Sequence, residues 1–226
     1  TPVYSGMTYV ETYLYEADSR HPLAAAAVGG GALFAVEPGK GILAHREPNG
    51  ALHAYVALRK TLAQRYALQG VQVTPDEIVI TNGAMEALNL SLQALTEPGD
   101  WVAIENPSFY GALQAIERLK LKSVAIATDP QNGIDLDELS RALQRWPIKA
   151  LWMMSNQQNP VGCTLSKERK QQLVALLAQH NVALIEDDVY SELYFGAEKP
   201  LPAKAFDRDD NVLHCSSFSK NLVAGF

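Results

Sequence analysis

The chain has 226 residues, with 19 Lys and Arg against 25 Asp and Glu and a formal net charge of −6 at pH 7. Its 47% hydrophobic and 19% charged residues exclude a disordered chain or a coiled coil and predict a sizeable core. An acidic chain is a poor binder of a phosphate backbone, and an apolar run of about 20 residues, as a membrane span needs, is missing.

The two cysteines, Cys163 and Cys215, are too few for a disulfide framework and suit a reducing compartment. The first twenty residues contain Glu11, Glu16 and Asp18 and lack the basic start of a secretory signal. We therefore expect a cytoplasmic protein. Because the chain begins at Thr1 rather than Met, we also expect a fragment of a longer protein.

Residues 1–49 show little periodicity and are predicted to form an N-terminal arm or linker. The alternation over residues 8–16 is compatible with a strand or a short helix. The Ala/Gly-rich residues 24–31 predict a flexible or tightly packed connection. Gly29, Gly30 and Gly31 do not fit a dinucleotide-binding Gly-x-Gly-x-x-Gly loop, because Phe34 stands where the last glycine belongs.

From residue 50 onward, strand-like runs alternate with helical ones, which predicts an α/β domain over residues 50–226. Apolar residues three and four apart predict a helix over 52–68, ended by Gly70. Most strand-like runs are continuously apolar, which favours a three-layer α/β/α fold with a mostly parallel sheet. The predicted strands are 78–81, 101–105, 123–127, 150–155, 182–186 and 212–216. The predicted helices lie near 84–95, 109–119, 135–145 and 166–180.

Ligands of such sheets bind beyond the carboxyl ends of the strands, so those ends hold the candidate site. Gly83 and Ala84 open a helix whose bare N–H groups could bind an anion; the alternative is an ordinary helix start capped by Asn82. Phe109 follows Pro107 after the next strand. It could stack on a flat ligand ring, or it could pack on the following helix.

Asn159 precedes Pro160, which holds the asparagine extended and leaves its amide free to be aimed at a ligand; a turn without a ligand is the alternative. Three acids, residues 186–188, end a later apolar strand and are costly there unless a cation pairs with them. They could bind a metal, lie at a helix start, or face a protonated ring nitrogen with Tyr190 nearby. Lys220 follows the last strand and is either a Schiff-base nucleophile or an ordinary surface lysine.

The order of these features resembles the large domain of fold-type I, pyridoxal-phosphate-dependent aminotransferases of class I/II. The segments ENPSFYGAL, IEDDVYSELYFG and LHCSSFSKNLVAGF are most similar to the aminotransferase-like domain of MocR-type transcription regulators of the GntR family. Those regulators join an N-terminal winged helix-turn-helix to this domain. The resemblance covers residues 50–226 and implies pyridoxal phosphate as cofactor.

The resemblance also implies residue roles. Lys220 corresponds to the lysine that forms the Schiff base with the cofactor, and Asp187 to the acid that pairs with the pyridinium nitrogen. Tyr190 and Asn159 correspond to the two groups that hydrogen-bond the 3-hydroxyl of the ring. Phe109 corresponds to the stacking aromatic. Lys220, Asp187 and Tyr190 are thus the expected catalytic residues.

The resemblance assigns phosphate binding to the amides of Gly83 and Ala84 and to the hydroxyls of Ser217 and Ser219. No metal is expected. The family's phosphate-binding arginine, seven residues after the lysine, would fall just beyond Phe226. The next strand and the C-terminal small domain, whose arginine binds the substrate carboxylate, are also missing from this chain. We therefore expect that this chain alone is not a competent transaminase.

Three functions remain open from the sequence. The first is the effector and dimerisation domain of a MocR/GntR-type regulator, which binds an amino acid or related amine and contacts DNA only through a winged-helix domain outside this chain. The second is a free-standing class I/II aminotransferase that acts on an amino acid and a 2-oxo acid. The third is an α/β domain that has lost its cofactor. A homodimer is expected for the first two.

Overall fold

The computed structural model describes residues 9–37, 40–57 and 59–220. The chain divides into two compact units, Thr1–Ile80 and Thr81–Phe226. The predicted boundary, an arm over residues 1–49 and a large domain over 50–226, follows sequence motifs rather than compactness and stays a prediction. No helix in the described part of the chain is long and apolar enough to cross a membrane.

The first unit contains an antiparallel sheet of four strands in the order β1-β4-β3-β2. Its strands are β1 (Tyr9–Leu14), β2 (Ala32–Glu37), β3 (Lys40–Arg46) and β4 (Leu52–Ala57). Its helices are α1 (Ala17–Arg20), α2 (Pro22–Val28) and α3 (Arg59–Leu68), and a 3₁₀ turn covers Pro75–Glu77. The small core of this unit is made by Ala17, Ala25, Val28, Ala44 and Leu52.

Three sequence-based predictions for the first unit differ from the structure. The helix expected over 52–68 is wrong in its first half, because residues 52–57 pair with β1 and β3 as strand β4. Residues 22–28 form α2 rather than a connection, with Pro22 at the first helical position, where its missing N–H costs nothing. Residues 78–81 form no strand, and Ile78 instead ends the 3₁₀ turn.

The second unit contains a six-stranded sheet in the order β10-β9-β8-β5-β6-β7, parallel except for the short β7. Its strands are β5 (Trp101–Asn106), β6 (Lys122–Asp129), β7 (Gly133–Ile134), β8 (Ile148–Met153), β9 (Ala183–Asp187) and β10 (Val212–Cys215). Its helices are α4 (Ala84–Leu95), α5 (Tyr110–Arg118), α6 (Leu136–Arg145) and α7 (Lys167–Gln179). The predicted α/β class, these four helices and five of the predicted strands are confirmed.

Helices cover both faces of this sheet, as continuously apolar strands require. Alternate residues of a strand point to opposite faces, so Leu151 and Met153 pack with α6 and α7, while Ala150 and Trp152 pack with α4 and α5. The three layers therefore share two cores, one on each side of the sheet.

The strand order places a switch point between β5 and β8. From β5 the chain crosses to β6 on one side and later returns to β8 on the other. In open sheets of this kind the crevice at such a point, beyond the carboxyl ends of the strands, receives the ligand. The strands that border it end at Asn106, Met153, Asp187 and Cys215.

Candidate active site

Asp187, the last residue of β9, is 3% exposed. Its register partner on β10 is Cys215, which belongs to the core on the α4/α5 side of the sheet. Asp187 Oδ1 is buried without a hydrogen-bond partner among the described residues. Burial and the neighbouring charge of Asp188 raise the pKa of Asp187 to about 6, although the Val189 amide and the Trp152 indole oppose them. Among the described residues, Asp187 is therefore a buried carboxyl group without an ion pair of its own, although the charge of His214 favours its ionised form.

The two neighbouring acids are bonded instead to protein groups. Glu186 accepts hydrogen bonds from the Ser155 hydroxyl and from the amides of Ala203, at 2.6 Å, and Lys204, at 3.0 Å. Asp188 lies 3.0 Å from His214 Nε2, measured from its Oδ2. The three acids therefore do not converge on one point, which disfavours the metal-site interpretation of residues 186–188.

The turns after β5 and β8 are joined by one buried amide. Gln158 is 1% exposed, and its Nε2 donates to the Pro107 carbonyl at 2.8 Å while its Oε1 accepts from the Val161 amide at 2.8 Å. Pro107 lies two residues before Phe109, and Asn159 follows Gln158 directly. The peptide bonds Asn106–Pro107 and Asn159–Pro160 are both cis.

Phe109 precedes the first residue of α5 and packs on that helix. A Cβ atom on Gly111 would lie 2.5 Å from Phe109 Cε1, so the ring can take this place only beside a glycine. The Tyr110 ring lies 4.8 Å from the Phe109 ring, centroid to centroid. Phe109 therefore packs on the following helix, as the alternative interpretation of this motif expected. Its side chain is half-buried and lies next to the crevice.

Helix α4 begins at Ala84, and Gly83 is its N-cap with a φ of 86°. The alternative interpretation, a helix start capped by the Asn82 side chain, is wrong, because Gly83 is the N-cap and no side chain caps it. The backbone N–H of Asn82 donates to the Glu86 carboxylate at 2.5 Å. A Cβ atom at Gly83 would meet nothing within 4 Å. The glycine is required there by its positive φ and leaves the space in front of the helix open.

Lys220 lies in the turn after β10 and is exposed. Ser217 and Ser219 precede it; the Ser219 amide donates to Ser217 Oγ at 3.1 Å, and the two hydroxyls lie 3.0 Å apart. Tyr190 is half-buried in the turn after β9. Residues 221–226 of the last motif lie outside the described residues. Seven of the nine predicted site residues end a strand or lie in the segments that follow β5, β8, β9 and β10: Phe109, Asn159, Asp187, Tyr190, Ser217, Ser219 and Lys220. The other two, Gly83 and Ala84, open α4, and residues 78–82 before them form no strand.

The sequence analysis did not identify the buried polar groups near the carboxyl ends of these strands. Glu105, at the end of β5, is 2% exposed, and burial raises its pKa to about 8. Lys170 is 2% exposed on α7 and donates to Asn156 Oδ1 at 2.6 Å. The position of Lys170 in the sequence could have indicated its role. It lies on the apolar face of α7 with Leu173 and Val174, where a lysine needs a buried hydrogen-bond acceptor.

Residues 43–225 match the sequence model of the family described as aminotransferase class I and II. The chain belongs to this family. It is 70% identical over 169 residues to the uncharacterized HTH-type transcriptional regulator YdcR of Escherichia coli, a match that covers 75% of this chain and 36% of that protein. The resemblance drawn from the motifs is confirmed, and the chain spans only about a third of the length of this relative.

Solved structures give the same assignment. An archaeal alanine:glyoxylate aminotransferase superimposes with a TM-score of 0.71 at 32% identity, over 75% of this chain and 43% of that one. A kynurenine aminotransferase of Pyrococcus horikoshii, solved in complex with PMP, gives a TM-score of 0.67 at 29% identity over 72% of this chain and 41% of that one. Pyridoxal phosphate is the cofactor of this family. The unpartnered Asp187 Oδ1 is compatible with its ring nitrogen, and the helix start at Gly83, where an added Cβ would meet no atom within 4 Å, is compatible with its phosphate.

Proposed function

We propose that this chain is the pyridoxal-phosphate-binding effector and dimerisation domain of a MocR/GntR-type transcription regulator. The observation that carries the cofactor assignment is Asp187, a buried carboxylate at the switch-point edge whose Oδ1 has no partner among the described residues. A protonated pyridine nitrogen is the cation that such a group lacks. The name of YdcR, which is 70% identical, supports the regulator reading.

In this proposal the cofactor, when bound, supplies an electron sink that lowers the cost of removing a proton from an attached amino acid. Asp187 would bind the ring nitrogen and keep it protonated. Asn159 and Tyr190 would hydrogen-bond the 3-hydroxyl, and Phe109 would cover one ring face. Lys220 would bind the cofactor covalently. The amides of Gly83 and Ala84 and the hydroxyls of Ser217 and Ser219 would bind the phosphate at the start of α4.

The partners follow from the same assignment. The effector would be an amino acid or related amine, because an amine is the group that reacts with the aldehyde of pyridoxal phosphate. A second copy of the protein completes a homodimer in the cytoplasm, and DNA binds through a winged-helix domain outside this chain.

The test of cofactor binding uses the full-length protein loaded with pyridoxal phosphate. Borohydride reduction followed by peptide mass mapping should place the phosphopyridoxyl group on Lys220. Lys220→Ala should abolish the adduct, while Lys149→Ala, a control at an exposed lysine of β8, should keep it. A wild-type protein without an adduct, or with one on another lysine, refutes the assignment and favours an α/β domain without cofactor.

A second candidate, a free-standing aminotransferase, is favoured by the 32% identity to a solved aminotransferase. The two candidates differ in what the full-length protein does with an amino acid. A regulator should bind its own promoter DNA with an affinity that an amino acid changes, and should convert the cofactor to its amine form slowly or not at all. Rapid multiple-turnover transamination without DNA binding would establish the enzyme instead.

A further inference from the structure

Asp188, the residue after β9, bonds through its side chain to the segments on both sides of that strand. It is 2% exposed; its Oδ1 accepts from Asn156 Nδ2 at 2.9 Å, and its Oδ2 lies 3.0 Å from His214 Nε2. Asn156 lies in the turn after β8, and His214 belongs to β10. One buried carboxyl group therefore joins the carboxyl ends of β8 and β10 across the end of β9.

The orientation of the Asn156 amide is fixed by a second bond. Its Oδ1 accepts from Lys170 Nζ at 2.6 Å, so its NH2 group faces Asp188. The reverse orientation would place the amide oxygen against the Asp188 carboxylate, where both groups are acceptors. Because Asn156 is 0% exposed, water cannot replace Asp188 as the acceptor for this NH2 group.

The backbone of Asp188 is bonded to the end of β10 as well. Its N–H donates to the Cys215 carbonyl at 2.8 Å, and its carbonyl accepts from the Ser216 hydroxyl at 3.2 Å. The same carbonyl accepts from the Ser191 hydroxyl at 3.2 Å, within the turn that contains Tyr190. Asp188 is therefore bonded to the turn after β8, to its own turn and to the end of β10.

Two of the candidate ligand-binding groups lie in the turns that Asp188 joins. Asn159 follows Asn156 by three residues, and Tyr190 follows Asp188 by two. In the part of the chain that the structure describes, neither the Asn159 side-chain amide nor the Tyr190 hydroxyl has a hydrogen-bond partner. These two groups are not fixed by bonds of their own, so their positions depend on the bonds that hold their turns.

We propose that Asp188 is a positioning residue, which holds the turns of Asn159 and Tyr190 at the separation that the 3-hydroxyl group of the pyridine ring requires. The inference deepens the proposed function and rests on it for the identity of the ligand. Both carboxylate oxygens of Asp188 are already bonded to protein side chains. Asp188 therefore acts on the ligand through the two turns and not by a contact of its own.

Asp207 is a matched control within the same unit. Its side chain is 1% exposed and lies 2.7 Å from a cation, Lys204 Nζ. Its other bonds come from the amides of Asn211, at 3.2 Å, and Val212, at 3.0 Å. Asp207 therefore secures the amino end of β10, whereas Asp188 secures the carboxyl end. Loss of either carboxylate should destabilise the second unit, but only loss of Asp188 should loosen the turns of the candidate site.

The first measurement is binding of pyridoxamine phosphate to the full-length protein by calorimetry. The amino group of this ligand forms no imine with Lys220, so its affinity reports the non-covalent contacts. A second titration uses 3-deoxypyridoxamine phosphate, which lacks the hydroxyl group. Wild type should prefer pyridoxamine phosphate by about tenfold, which corresponds to about one hydrogen bond.

Asp188→Ala should remove most of this preference, because the two turns are no longer held together, whereas Asp207→Ala should keep it. Asp188→Asn retains an acceptor for Asn156 and a polar partner for His214, and it should restore most of the preference. Asn156→Ala leaves Asp188 in place and breaks only the link to the Asn159 turn. It should also lower the preference, and it is measured in case Asp188→Ala does not fold.

The second measurement is hydrogen exchange in the full-length protein without cofactor. In Asp188→Ala, peptides that contain residues 156–162 and 188–193 should exchange about tenfold faster than in wild type. In Asp207→Ala the faster exchange should lie at residues 207–212 instead.

The inference and the proposed function fail in different ways. A folded Asp188→Ala or Asn156→Ala variant that keeps the preference for the 3-hydroxyl group overturns the role of Asp188, as does an equal loss in Asp207→Ala. Unchanged exchange in both turns overturns it as well. Wild-type protein that binds neither ligand overturns the proposed function instead, and the exchange experiment still decides whether Asp188 holds the two turns.

Discussion

Replacing Glu105 by Gln should make the second unit more stable at neutral pH. Glu105 is 2% exposed; its Oε2 accepts from the Met154 amide at 2.9 Å, and its Oε1 has no partner among the described residues. Burial, with a smaller effect of the Asp187 charge, raises its pKa from 4.5 to about 8, although donors from Met154 and Gln158 oppose the shift. At pH 7 the folded protein therefore holds a proton that the unfolded chain releases.

The magnitude follows from proton linkage. Below pH 4.5 the carboxyl group is protonated in both states and costs nothing. As pH rises toward 8, the unfolded state loses the proton first, so the free energy of unfolding falls by about 1.4 kcal/mol per pH unit. At pH 7 the accumulated cost is about 3 kcal/mol, and above pH 8 it levels off near 5 kcal/mol. Gln keeps the acceptor for the Met154 amide and removes this titration.

Hydrogen exchange of peptides from β5 and β8 in the full-length protein without cofactor measures this free energy locally, even if other domains unfold separately. The variant should gain stability over the wild type by about 1.4 kcal/mol for each pH unit between 5 and 8. Glu117→Gln, at an exposed position of α5, is the control and should give no such slope. Parallel curves for Glu105→Gln and wild type would show that Glu105 is not held protonated and would refute the reasoning.

Two further predictions concern stability. Burial also raises the pKa of Asp187, so Asp187→Asn should remove a cost of about 3 kcal/mol that develops between about pH 4 and pH 6, and it should weaken cofactor binding. Hydrogen exchange without cofactor measures the first effect, and calorimetry with pyridoxamine phosphate measures the second. A stability difference between variant and wild type that does not change across this pH range would contradict the assignment. Gly133→Ala should destabilise the second unit by about 2–4 kcal/mol, because φ is 74° and the new Cβ would lie 2.5 Å from Leu165 Cδ1. Gly162→Ala, at a φ of 82° in open space, should cost only about 1 kcal/mol. Urea titration of the two variants measures both losses, and equal losses would show that the clash at Gly133 is relieved.

The second unit was largely predictable from sequence because its strands are short, continuously apolar and bounded by turns. In the first unit β3 pairs antiparallel with its sequence neighbours β2 and β4, whereas β1 pairs with the distant β4, and local apolar spacing shows none of these pairings. Residues 52–57 illustrate the failure: their apolar spacing fits a helix, but hydrogen bonds to β1 and β3 make them a strand. Short apolar runs remain ambiguous between the two periods.

Some features of the candidate site could likewise be predicted from sequence, and others could not. The position of Asp187, Asn159 and Lys220 near the carboxyl ends of the strands could be predicted, because parallel strands bring those ends to one edge of the sheet. The roles of these residues stay predictions. The hydrogen bonds between the buried polar side chains could not be predicted, since Lys170 and Asn156 are 14 residues apart and Asn156 and Asp188 are 32 residues apart in the sequence. Only the folded chain brings those partners together.

The amide of Gln158 gives the crevice a mechanical property. One buried side chain bonds both the turn before Phe109 and the turn of Asn159. In the proposed function these two turns would contact the face and the edge of the bound ring, so a displacement of one turn by an effector would be passed to the other through this amide. In a regulator, such a linkage would pass the shape of the bound effector from β5 to β8, and so into helices on both sides of the sheet.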